Sequence, residues 1–127
     1  MNNDRTYEQR RAAHALRKVK DLENGGKNQY GHFASYVSSL PASIVMNGLG
    51  QAMAFELSNN KDIGHEKLYN IIQDWLCGES GVFIDETDLM KAITKNGQAE
   101  YVRAQSESLS YLDWLKKFSR AYLEKGD

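Results

Sequence analysis

The chain of 127 residues contains one cysteine and one proline. A lone cysteine excludes an internal disulfide and therefore a small scaffold built on disulfides. A reducing, cytoplasmic setting is the expectation. No apolar run is long enough to span a membrane, which takes about 18 residues or more. The first 20 residues carry Arg5, Arg10, Arg11, Arg17, Lys18 and Lys20 and no apolar core of the kind a secretory leader needs. A 41% hydrophobic share with so little proline excludes a Pro-rich or disordered class. Strand signals are almost missing: only Val82-Phe83-Ile84 groups residues of β type.

Motifs that carry chemistry are equally scarce. The three histidines, His14, His32 and His65, are far apart in sequence. His65-Glu66 opens like a zinc-protease motif, but Tyr69 stands where the second histidine belongs. Cys77 has no His or Cys at a catalytic spacing and reads as an incidental thiol. Gly48-Leu49-Gly50 suggests a dinucleotide loop, yet Met53 replaces the third glycine and no strand precedes it. Close helix packing or a bend explains these glycines better. Asp85, Glu86 and Asp88 cluster where acids favour a helix start, and Asp85 or Thr87 is the expected cap. No catalytic residue, metal site or cofactor is expected.

What is present is helical periodicity. One domain, residues 1–127, is expected, an all-α bundle of about five to six helices with a long C-terminal helix. The first helix spans about Asp4 to Leu22, with Ala12, Ala15, Leu16, Val19 and Leu22 inward, and Asn24-Gly25-Gly26 ends it. The second runs from about Asn28 to Ser39 on Tyr30, Phe33, Ala34, Val37 and Leu40, and Pro41 is expected to open the next. That third segment, Ala42 to Leu57, is apolar nearly all round and is expected at the centre of the bundle. A fourth helix covers His65 to Leu76, and a short fifth ends near Ile93. The last covers Gln98 to Glu124, with Tyr101, Ala104, Ser108, Tyr111, Leu112, Leu115, Phe118 and Tyr122 within about 120° of arc. Val102, Leu109 and Trp114 lie beyond that stripe. Asp113 and Glu124 are placed for i,i+4 pairs with Lys117 and Arg120.

The formal charge of −1 hides an asymmetry. Residues 1–20 hold six basic residues against Asp4 and Glu8, a local balance of +4, whereas residues 56–100 balance at −5. On the first helix Arg10, Arg11, His14, Arg17 and Lys18 share the face opposite the apolar one. Most such faces are simply solvated. The alternative is phosphate contact, for which the planar guanidinium fork and the spacing along a helix are suited. Arg103, Lys116, Lys117 and Arg120 form a second, more diluted row on the last helix.

Three stretches then carry a family resemblance. They are Gln9-Arg10-Arg11-Ala12-Ala13-His14-Ala15, the segment Leu40-Pro41-Ala42 with Asn47-Gly48-Leu49-Gly50-Gln51-Ala52-Met53-Ala54-Phe55, and Tyr101-Val102-Arg103-Ala104 continuing to Trp114-Leu115-Lys116-Lys117-Phe118. Together the chain resembles the small helical subunit of the Cmr complex, the type III-B CRISPR effector that targets RNA. Residues 58–95 match only in helical character.

The resemblance implies a non-catalytic all-α subunit that stacks in several copies along a guide-RNA filament. Its implied partners are the backbone subunit that cuts target RNA, the large polymerase-like subunit, copies of itself, and guide and target RNA, with no membrane. It raises the expectation of RNA contact for Arg10, Arg11, Arg17, Lys18, Arg103, Lys116, Lys117 and Arg120. Such contacts would go to the backbone, because guide pairing reads the bases. Asn47, Gly48, Gly50, Gln51 and Trp114 are expected as structural positions, with Asn47 and Gln51 buried to hold a bend. A helical protein–protein adaptor without nucleic-acid contact is the alternative, and the acidic stretch and the broad apolar surface of the last helix motivate it.

Overall fold

Thr6 starts the first helix. Its hydroxyl accepts from the Gln9 backbone N–H at 3.0 Å, while the Gln9 side chain accepts from the Thr6 N–H at 2.8 Å, a reciprocal capping box. The computed structural model describes residues 4–25, 30 and 32–123. Six helices follow one another: α1 (Tyr7–Asn24), α2 (Phe33–Asn47), α3 (Leu49–Ser58), α4 (Ile63–Leu76), α5 (Leu89–Lys95) and α6 (Gln98–Tyr122). Among the described residues there is no strand, and none of the helices is long and apolar enough to cross a membrane. Helix α6 is the shared element and packs against α1, α2, α3 and α4. The core is built on Phe33, Val37, Leu40 and Ile44 of α2, Leu68, Ile72 and Trp75 of α4, and Tyr111, Leu112 and Leu115 of α6. Gly26 and Glu124, expected at a helix end and in an ion pair, lie outside the described residues.

Several local expectations are corrected. Pro41 does not open a helix; it lies inside α2. Proline removes one backbone hydrogen bond, but Val37, Leu40 and Ile44 bury one continuous face across it, and that burial outweighs the local loss. The break falls at Gly48 instead, with φ 88° and ψ 156°, a backbone state that side chains rarely tolerate. The expected central apolar helix, Ala42 to Leu57, is therefore divided between the end of α2 and α3, each with one buried side. Ile44, Leu49, Ala52 and Met53 face inward, whereas Val45, Met46 and Phe55 are 69%, 80% and 56% exposed. On α1 the buried face is turned toward His14, Ala15, Val19 and Leu22, and Leu16 is exposed. The cap of α5 is Asp88, whose carboxylate accepts from the Lys91 N–H at 3.1 Å, rather than Asp85 or Thr87. Val82 and Phe83 are buried in the loop after α4 and Ile84 is exposed.

Candidate nucleic-acid interface

The polar side of α1 meets α6 in parallel. Tyr7 accepts from Arg103 at 3.2 Å, Arg11 pairs with Glu107, and His14 bonds Tyr111, so partners advance together along both helices. The Arg11 contact is bidentate, Nε to Oε2 at 2.6 Å and Nη2 to Oε1 at 2.9 Å. Glu107 is buried and also accepts from the Trp75 indole N–H at 3.0 Å. The hydrogen bond to Glu107 raises the Arg11 pKa, keeping it charged. A carboxylate buried this deeply needs such donors to offset its desolvation.

His14 is fully buried between two partners. Its Nδ1 lies 2.6 Å from the Tyr111 hydroxyl and its Nε2 lies 2.8 Å from Asp74 Oδ2. Burial lowers the His14 pKa despite Asp74, and burial raises that of Tyr111 well above its usual range. Both groups are therefore held neutral at neutral pH. The consistent proton arrangement has Nε2–H donating to Asp74 and Nδ1 accepting from Tyr111. Burial works against the Asp74 carboxylate, but hydrogen bonds from His14 and Lys18 outweigh it and lower its pKa. Lys18 approaches the same carboxylate at 3.2 Å. Burial pushes the Cys77 thiol up to about 11, which removes it as a nucleophile at neutral pH.

The expected basic row is thus divided. Arg11 and Lys18 point to carboxylates of the bundle, and His14 belongs to the core. Arg10, Arg17 and Arg103 surround Tyr7 and the turn after α4. The Arg10 guanidinium lies over the Tyr7 ring at 4.3 Å and donates to the Glu79 carbonyl at 3.4 Å. The Tyr7 hydroxyl donates to the Ser80 carbonyl. Arg17 pairs with Glu79 at 3.0 Å, both half exposed, a solvent-screened contact that a phosphate can displace. Among the described residues neither Arg10 nor Arg103 forms an ion pair with a carboxylate. The second half of α6 lies elsewhere: Arg120 reaches Ser38 of α2 at 3.4 Å, and Lys117 pairs with Asp113 at 3.2 Å as the spacing predicts. Lys116 is half-buried on the same stretch.

The glycine motif resolves differently from the expectation. Asn47 and Gln51 are exposed, not buried, and do not hold the bend. Gly48 has no side chain to cap α3, so α6 supplies two caps from one face. Gln105 Oε1 accepts from the Leu49 N–H at 2.9 Å, and the Tyr101 hydroxyl accepts from the Gly50 N–H at 2.9 Å. These satisfy donors that every helix start leaves open. Sequence reasoning misses Gln105, whose only signal is the four-residue step from Tyr101. Trp114 is half-buried, with its ring 5.7 Å from that of Phe118. Among the described residues no group of three His, Cys, Asp or Glu is placed to hold a metal ion.

Residues 7–122 match the family described as "CRISPR-associated protein (Cas_Cmr5)". The chain is 30% identical over 122 residues to the CRISPR system Cmr subunit Cmr5 of Thermus thermophilus, covering 95% of this chain and 99% of that one. The fold is similar to the crystal structure of a CRISPR-associated Cmr5 family protein from the same organism, with a TM-score of 0.76 and 28% identity. That alignment covers 94% of this chain and 99% of the other. Family match, whole-length identity and helix arrangement agree: the chain belongs to the Cmr5 family, the small-subunit family of the type III-B CRISPR system whose motifs its sequence resembles.

Proposed function

We propose that this chain is a non-catalytic subunit of a Cmr guide-RNA effector complex and helps hold single-stranded target RNA. Several copies stack along the filament beside the backbone subunit, and one end meets the large polymerase-like subunit. The phosphate contacts are made by Arg10 and Arg103 around Tyr7 and by Arg17 beside Glu79, with Lys116, Lys117 and Arg120 as a second, separate set. The observation that carries this reading is that Arg10 and Arg103, from two different helices, converge on one tyrosine with no carboxylate partner among the described residues. Arg11 and Lys18 serve mainly to hold the fold, because their charges are already met by Glu107 and Asp74.

The exposed apolar residues Val45, Met46 and Phe55 favour a second reading, a protein–protein adaptor with no RNA contact. A tagged pull-down of the chain from its native host separates the two. Guide RNAs with a common tag, recovered with backbone and polymerase-like subunits, support the first reading. Unrelated protein partners without RNA support the second.

A further inference from the structure

A cleft of about 300 Å³ opens between α2, α3 and α4, and among the described residues none that lines it belongs to α1 or α6. Phe55, Leu40 and Tyr36 line it with apolar surface, together with Ser43, Glu56 and His65. On α3, Glu56 is only 4% exposed, whereas its neighbour Phe55 is 56% exposed. This is the reverse of what their chemistry alone favours. Glu56 Oε1 bonds His65 Nδ1 at 2.7 Å, and among the described residues its other oxygen accepts no hydrogen bond. The His65 ring is held in place by Tyr36, stacked at 3.6 Å between centroids, and Tyr36 is fixed in turn by its hydroxyl on Asp62 at 2.7 Å. Burial raises the Glu56 pKa and outweighs the opposing hydrogen bond from His65.

We propose that this cleft receives an arginine side chain from a protein partner, with its guanidinium on Glu56 and its alkyl stem along Phe55 and Leu40. Arginine fits because its weakly hydrated planar fork gives a carboxylate two donors while its stem covers apolar surface. A nucleotide fits poorly: among the described residues no Lys or Arg lines the cleft to hold a phosphate, and Glu56 is the one acidic residue lining it. Phe55, 56% exposed, supplies the apolar edge that a buried anchor packs against. The site uses no residue of the RNA reading above and stands independently of it.

The test uses the full chain and nuclear magnetic resonance of the Tyr36, Phe55 and His65 rings. The probes are N-acetyl-arginine amide, its uncharged citrulline analogue and guanosine monophosphate. The arginine probe should shift these rings saturably, and citrulline should bind about tenfold more weakly, the worth of one charge-assisted contact. Glu56→Gln should lose about the same factor while the His65 and Tyr36 rings keep their stacked shifts. Phe55→Ala, at an exposed position, should weaken the arginine probe without unfolding the chain. No saturable shift up to about 50 mM, equal binding of citrulline, or unchanged binding by Glu56→Gln would each overturn the proposal. So would saturation of the same rings by guanosine monophosphate alone.

Discussion

Arg11 and Glu107 lie 96 residues apart in the chain and form a two-pronged ion pair at 2.6 and 2.9 Å across the α1–α6 seam. The pair converts an arginine that looks like part of a solvated basic face into a fold determinant. Arg10, one residue earlier, keeps its charge on the surface side. Adjacent arginines therefore have opposite predicted phenotypes. Arg11→Met should destabilise the chain by about 3 kcal/mol, because Glu107 is left buried with, among the described residues, the Trp75 N–H as its one donor. For a domain of this size that is a fall of roughly 10 °C or more in Tm. Arg10→Met should leave Tm within a few degrees and weaken RNA retention. Calorimetry on both variants, with RNA binding in the assembled complex, checks the split; equal stability of the two would refute it.

The α2–α3 break makes a second prediction. Gly48 has φ 88°, and an added Cβ would stand 3.1 Å from the Tyr101 hydroxyl that caps the next helix. Gly48→Ala should cost about 1–3 kcal/mol of backbone strain. Tyr101→Phe should cost about 1–2 kcal/mol by leaving the Gly50 N–H without its acceptor. Urea unfolding of each variant gives these values. Full stability in Gly48→Ala would mean that the break is not fixed at this glycine.

The buried His14 predicts a pH dependence of defined sign. Its folded pKa lies below the ordinary 6.5, because burial favours the neutral ring. The folded chain then binds fewer protons than the unfolded chain as pH falls below about 6.5, so His14 makes stability drop there. The slope from this one group is at most about 1.4 kcal/mol per pH unit. Glu56 acts in the opposite sense from about 4.5 upward, since its folded pKa is raised. Comparison with His14→Gln isolates the histidine. The stability gap between native chain and variant should narrow as pH falls from 8 to about 5.5. A gap that stays constant or widens contradicts a neutral buried His14.

Helix number, order and most buried positions are legible in the sequence because apolar residues at 3–4 spacing report burial directly. Leu40, Ile72, Leu112 and Leu115 face the core as that pattern requires. Most of the failures share a cause: side chains whose role is set by residues distant in sequence. His14 and Arg11 look like surface cations until Asp74, Tyr111 and Glu107 are brought against them. Asn47 and Gln51 look like bend-holders, but the bend is held from α6 by Gln105 and Tyr101. Pro41 looks like a helix start, but one missing hydrogen bond is a small term beside three buried aliphatic side chains. The division of the basic residues into those that hold the fold and those at the surface can only be read in three dimensions.

The most direct test of the RNA role is a salt titration of single-stranded RNA affinity in the reconstituted complex, comparing the native chain with the pair Arg10→Glu and Arg103→Glu. Each phosphate contact contributes about 0.7 to the slope of log affinity against log salt for a single strand. Loss of two contacts per copy should reduce the slope's magnitude by about 1.4 per engaged copy and weaken binding at low salt, with assembly intact. An unchanged slope with intact assembly would contradict phosphate contact at this face.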